Sequence, residues 1–478
     1  MKSDDEIQKV PRADARRVGL IQAAIDSKPL KGNHNGEDDR NKQGRRGKKQ
    51  SSQPATKHQL AGDLPDVQWR SIPMEHLRHH PNFEPLPLPS TIRALETLED
   101  VRKFRQESWQ WDALHPGRCT TSQAVAALGF LEPKAGEFLN VPQGWRKGGQ
   151  RAYYRLAMPA LRTLEEMNAV LCDHDDVAGV IPNECNDDVD SSKTDASNPY
   201  WTTPATFPFA AKYMKQVTKS ELQKRRNQAK VYVQSPGIEW SIRMIWGNTQ
   251  EATALLTTLN YFWKQDSRIV LKEVGMCGAG LALNQTTTST GLLVGATPDA
   301  LLVHPNGTIE AVEVKNHCPF LPNFTARNRM KKSRGANNSR HRFRVSRQEF
   351  THGVMPQYLP QLMLEMMCVG PECKSAIMVR QSAVNGALIL RIRRDDEWIE
   401  EMIYWLNRFC EDFVNTGRPP PADFFFDSGN SNDQERYMQF LERTKELETK
   451  VEMISHVPNN KIQRAMGSAA RTTNLFLD

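Results

Sequence analysis

Apolar positions are unevenly spaced along the chain. Residues 1 to about 95 sustain no apolar period and are rich in Lys, Arg, Asp, Asn, Gly, Pro and Gln, which predicts a disordered, basic N-terminal region. From Ser90 the pattern turns helical, with Ile92, Leu95, Leu98 and Val101 at spacings of three. A further helix is expected over Ala124-Val125-Ala126-Ala127-Leu128, capped by the small hydroxyl residues Thr120, Thr121 and Ser122. Free amides at such a helix start attract phosphate, so the same residues are candidate phosphate contacts. Ile242 to Trp263 carries Ile245, Ala252, Leu255, Leu259 and Phe262 on one helical face. Glu251 borders that face: turned inward it needs a partner or a metal, turned outward it reaches water.

Between these helices the period changes to two. Asp299 to Val303, the turn Pro305-Asn306-Gly307 and the alternating run Ile309 to Lys315 read as strand, turn, strand. Alternation puts Glu313 and Lys315 on one side, and the preceding strand can bring Asp299 beside them. Met355 to Val369 reads as a helix that must start or kink near Pro360. Ala376 to Val379 and Ala387 to Ile392 continue the sheet, and Glu397 to Val414 is an amphipathic helix stopped by Gly417 and the following prolines. Gln434 to Ile454 reads as a charged helix before a polar tail. The pattern therefore predicts an α/β domain over residues 96–430, followed by a charged helix and tail over 431–478. Two insertions interrupt it, an acidic one near 173–198 and a basic one near 321–350.

Composition narrows the chemistry. With 63 Lys+Arg against 56 Asp+Glu the net charge is +7, which permits a polyanionic partner without requiring one. The basic charge is concentrated: Arg327, Arg329, Lys331, Lys332, Arg334, Arg340 and Arg342 crowd the second insertion, suiting a nucleic-acid backbone, with a solvated loop as the alternative. Lys219 to Lys230 is a basic helical candidate. The cluster Arg45-Arg46-Gly47-Lys48-Lys49 reads as a nuclear import signal, a nucleic-acid-binding arm or a solvated tail. Eight cysteines without a CxxC pair give neither a disulfide framework nor a zinc ribbon. Cys318, Cys368, Cys373 and Cys410 lack the clustering that an iron–sulfur centre needs. The expectation is a nuclear or otherwise intracellular protein, not secreted and without a membrane span. No GxxxxGK loop points to an ATPase.

Five ordered blocks give the chain a resemblance. Trp111 to Ser122, Trp246-Gly247-Asn248-Thr249-Gln250-Glu251, Thr297-Pro298-Asp299-Ala300-Leu301, Glu313-Val314-Lys315 with Cys318-Pro319-Phe320, and Tyr358-Leu359-Pro360-Gln361 follow one another. Together they resemble the PD-(D/E)XK nucleases, in the lambda-exonuclease or YqaJ-like viral recombinase branch. The resemblance implies a restriction-endonuclease-like core, a mixed central sheet flanked by helices. It also implies DNA as partner, Mg²⁺ (or Mn²⁺) as cofactor and assembly as a homo-oligomer, a trimer in that branch.

The residue roles implied are specific. Asp299, Glu313 and the Val314 carbonyl would bind the cation, with Glu251 helping to hold a second ion or the attacking water. Lys315 would orient water or offset charge, Gln361 would fix that geometry, and Thr120, Thr121 and Ser122 would meet a terminal 5′ phosphate. The sequence departs from the pattern where His115 stands in place of the family's phosphate-gripping arginine: His115 is either a DNA phosphate contact or a plain turn residue, and Arg118 is the alternative grip. It departs again where Asn316-His317 precedes Cys318 and where Met363 replaces a second glutamine. The expected activity is metal-dependent DNA hydrolysis from 5′ ends, in recombination, repair or viral and mobile-element DNA processing. The rivals are a catalytically weak DNA-binding or recruitment protein on the same fold, and an endonuclease.

Overall fold

The computed structural model describes residues 71–106, 108–142, 148–158, 160–177, 238–279, 281, 291–322, 343–345 and 353–462. Contacts divide the chain after Lys57, and every described residue belongs to the second unit, His58–Asp478. The helices in chain order are α1 (Met74–Arg78), α2 (Trp109–Ala113), α3 (Thr121–Ala127), α4 (Pro133–Phe138), α5 (Gln150–Leu156), α6 (Leu164–Val177), α7 (Ile238–Trp263), α8 (Leu359–Val369), α9 (Asp396–Phe409) and α10 (Ser431–Thr449). None of the described helices is long and apolar enough to cross a membrane.

Seven strands form one mixed sheet: β1 (Phe83–Glu84), β2 (Val270–Lys272), β3 (Ala300–Val303), β4 (Ile309–His317), β7 (Cys373–Ser382), β8 (Gly386–Arg393) and β9 (Glu452–Val457), in that spatial order. A separate two-stranded ladder pairs β5 (Phe320–Pro322) with β6 (Phe343–Val345). In the main sheet β4 and β7 run parallel, while β3–β4, β7–β8 and β8–β9 are antiparallel.

Strand periodicity sorts the core into two layers. Leu301, Ala311, Ala376, Met378, Leu388 and Leu390 pack against α3, α4, α5, α8, α9 and α10. Their neighbours Ala300, Leu302, Val312, Val314, Ile377, Val379 and Ile389 face α7 instead. Both faces are covered, which is why the central strands read as nearly continuous apolar runs. This three-layer α/β architecture is the mixed sheet with flanking helices that the sequence predicts.

Several boundaries move. Residues 71–95, assigned by composition to the disordered region, carry α1 and β1; the Ile72 amide donates to Thr253 Oγ1 at 3.1 Å, and Leu77 and Phe83 pack into the α7 layer. The helix expected through Ile92 to Val101 is two short 3₁₀ turns, Pro89–Thr91 and Leu98–Lys103. A capping box between Thr97 and Asp100 starts the second turn and ends any continuous helix. The tail is not appended to the domain: α10 buries Tyr437, Phe440 and Leu441 in the core, and Glu452–Val457 pairs with β8 as the last strand. Residues 178–198 of the acidic insertion, Lys219 to Lys230 and 323–342 of the basic insertion lie outside the described residues.

Candidate active site

The β3–β4 hairpin builds the centre as its alternation requires. The register pairs Ala300 with Val312, so Asp299, one residue before β3, comes opposite Glu313. Its Oδ2 accepts the Val314 amide hydrogen at 2.6 Å, which fixes the carboxylate against β4. Glu313 is buried at 4% exposure, and its Oε1 accepts a hydrogen bond from Lys315 Nζ, two residues along the same strand face. That face meets α8. There Pro360 occupies the first turn, where its missing N–H costs nothing, and a 3₁₀ turn Pro356–Tyr358 leads in. The Tyr358 ring lies 5.4 Å from Lys315 Nζ.

Gln361 and Glu365 stand one helical turn apart on α8. Gln361 Nε2 donates to Glu365 Oε1 at 2.9 Å. Glu365 is wholly buried, and its Oε2 has no hydrogen-bond partner among the described residues. No role was expected of Glu365; the signal for it in the sequence is a charged residue four positions from Gln361 on an otherwise apolar helix.

Carboxyl groups in this cluster outnumber its one ammonium, Lys315. Burial raises the Asp299 carboxyl well above the usual carboxylate range, and the charges of Glu313 and Glu251 push it further. Burial also raises Glu365, with Glu313 adding to the shift and Gln361 and Lys315 opposing it. Burial alone would lower the Lys315 ammonium, but Glu313 and Asp299 outweigh it, so its proton is held more tightly than in water. Glu251, on the helix that covers the opposite face of the sheet, thus acts electrostatically on Asp299.

Among the described residues no three His, Cys, Asp or Glu side chains stand where they could hold a metal ion as placed. Asp299 is engaged by the Val314 amide and Glu313 by Lys315. The donors are nonetheless all oxygens under mutual repulsion, a set chemically suited to a hard divalent cation rather than to a soft one.

The residues expected at the DNA end divide. Trp111 Nε1 donates to Thr297 Oγ1 at 2.9 Å, tying that block to the approach to Asp299. Thr120 occupies the N-cap of α3, but no side chain caps the backbone there; its hydroxyl is turned to Gln123 Oε1. Thr121 is half-buried and Ser122 exposed. His115 packs edge-on against Trp111 at 3.9 Å, and burial, with Arg155 and Arg118 nearby, lowers its pKa against the opposing pull of the Trp111 carbonyl and Asp112. Arg118 corrects the expectation of a phosphate grip: it is 1% exposed and donates to the carbonyls of Leu114 (3.1 Å), Ala279 (3.0 Å), Val294 (3.1 Å) and Leu161 (2.9 Å). Each of these four hydrogen bonds goes to backbone. Arg327, Arg329, Lys331, Lys332, Arg334, Arg340 and Arg342 lie outside the described residues.

No protein-family profile and no curated protein sequence matches the chain. Among solved structures, the chain is similar to an alkaline exonuclease (LHK-Exo) from Laribacter hongkongensis, at 14% identity and a TM-score of 0.25, over 65% of this chain and 94% of that one.

Proposed function

We propose that the chain is a divalent-cation-dependent deoxyribonuclease that degrades duplex DNA from 5′ ends. One observation carries this reading: Asp299, Glu313 and Lys315 share one end of a hairpin, backed by Gln361 and Glu365, with more negative charge than the cluster neutralises. A purely structural ion pair gains nothing from surplus carboxylates, whereas a cation-binding site requires them. Asp299, Glu313, Glu251 and the Val314 carbonyl would hold Mg²⁺ or Mn²⁺. Such an ion supplies Lewis-acid activation of the scissile phosphate and a more acidic bound water.

The protein's own groups set the rest. Lys315 stays protonated because of its two carboxylate neighbours, so it serves as a positive charge and hydrogen-bond donor toward the phosphate, not as a base. Glu313, now the acceptor of the Lys315 hydrogen bond, would hold the cation, and the Lys315 ammonium would then serve the substrate. Gln361 is held by its amide nitrogen on Glu365, which leaves its carbonyl oxygen as the end presented elsewhere. The five ordered sequence blocks support DNA as substrate and the Thr120–Ser122 segment as the place of the terminal phosphate. In a cell the activity would serve recombination, repair or the processing of viral and mobile-element DNA.

The test uses 5′-labelled and 3′-labelled linear duplexes beside a covalently closed circle, each with Mg²⁺ and with a chelator. The expected result is cation-dependent loss of the 5′ label first, with the circle intact. Cleavage of the circle would make the protein an endonuclease, and binding without hydrolysis in Mg²⁺ or Mn²⁺ would make it a recruitment protein.

A further inference from the structure

From Phe138 to Leu164 the chain has no Asp or Glu, yet it carries Arg146, Lys147, Arg151, Arg155 and Arg162, interleaved with Trp145, Tyr153 and Tyr154. The described part of this stretch includes α5. Ala152 and Leu156 anchor that helix in the core. Its opposite side shows Arg151, Tyr154 and Arg155, all exposed, at spacings that put them on one face. Among the described residues the large exposed apolar side chains are Leu88, Tyr154, Leu281 and Met453; Tyr154, at 62%, is the one aromatic. Tyr153 braces its ring edge-on at 5.2 Å. Neither guanidinium has a hydrogen-bond or ion-pair partner among the described residues.

The face is connected to the candidate active site. The Gly117 amide donates to the Arg155 carbonyl at 3.1 Å. Arg155 acts electrostatically on His115, His115 packs on Trp111, and Trp111 bonds to Thr297, two residues before Asp299. The water-exposed Tyr154 ring thus shares a helix face with two guanidiniums. It matches a base with a phosphate on either side.

We propose that this face of α5 docks an unpaired DNA strand, with one base stacked on Tyr154 and adjacent phosphates on Arg151 and Arg155. The choice of DNA rests on the nuclease reading above. An unpaired strand is required because duplex bases already stack on one another and offer no free face.

The experiment measures anisotropy of labelled oligo-dT, labelled oligo-U and a labelled blunt duplex, all in chelator so that nothing is cut. Tyr154→Ala should weaken oligo-dT binding by about 5- to 100-fold and leave the duplex unchanged, and Tyr154→Phe should bind as the parent does. Replacing Arg151 and Arg155 together by alanine should lower the slope of log affinity against log salt by about 1.4. Unchanged oligo-dT affinity in Tyr154→Ala, equal losses for oligo-dT and duplex, or tighter binding of oligo-U would each overturn the proposal. Because binding is read without hydrolysis, the two readings separate: a chain that never cuts DNA but loses oligo-dT through Tyr154→Ala keeps this surface and loses the nuclease assignment.

Discussion

Strand β4 carries two buried glutamates three residues apart, and they live in opposite electrostatic worlds. Glu310, 2% exposed, faces the α7 layer. Its carboxylate takes Arg391 Nε at 2.7 Å and Arg391 Nη2 at 3.1 Å, pairs with His304 Nε2 at 2.8 Å and accepts the Ser375 hydroxyl. Burial alone would raise its pKa, but these partners overcome it and bring it down to about 2. Glu313 faces the α8 layer, where one ammonium serves it while Asp299 and Glu365 are raised by the crowding. Glu310 has the partners that a folded structure needs, whereas among the described residues the Glu313 cluster is served by the single ammonium of Lys315. Burial and sequence spacing do not distinguish these two acids; their neutralisation does.

The largest test removes the second kind of charge. Asp299→Asn, or Lys315→Ala, is expected to reduce cation-dependent hydrolysis by about 10³-fold or more. Thermal denaturation of Asp299→Asn should show a Tm at or above the parent's, because the lost charge was opposed by Glu313 and Glu251. A large drop in its Tm would break the comparison.

Glu310→Gln should do the reverse, costing about 3–5 kcal/mol of stability by stranding Arg391 while the specific activity of the folded protein holds. The pH dependence follows from the sign of the shift. With a folded pKa of about 2 against the ordinary 4.5, Glu310 contributes roughly 3 kcal/mol above its unfolded pKa. That contribution is lost as pH falls from there toward 2. Acid titration followed by circular dichroism should therefore show a shallower loss in Glu310→Gln than in the parent over that window.

Glu365→Gln is the smallest effect and the sharpest discriminator. Its carboxyl is raised in the folded state, so a neutral amide should add stability at neutral pH, a gain that fades as pH falls below the unfolded carboxyl value. Activity should drop about 10-fold as the hold on Gln361 changes. Loss of stability together with activity would place Glu365 with Glu310 instead.

What the sequence made legible was local. Asp299, Glu313 and Lys315 lie within seventeen residues of one another across a Pro-Asn-Gly turn, and period-two alternation settles their side of the strand. The α8 helix and its start at Pro360 were legible for the same reason. Contributions that depend on distant partners were not. The segment Ile72 to Glu84 is too short to show a period, and it folds only because α7 and β2 supply its partners. Arg118 read as a substitute phosphate grip, since nothing nearby in sequence announces four carbonyls drawn from three other segments and its own preceding turn.

Arg118 carries a consequence for anyone mapping this protein by random substitution. On the proposed nuclease function, a genetic screen scored by DNA degradation is expected to register Arg118 as strongly as Asp299, since a lysine offers a point charge where a planar fork must serve Leu114, Leu161, Ala279 and Val294 at once. The two classes of loss should part company in protein abundance: Asp299 variants are expected to accumulate as folded protein, whereas Arg118 variants are expected to be depleted, which immunoblotting of the screened cells measures.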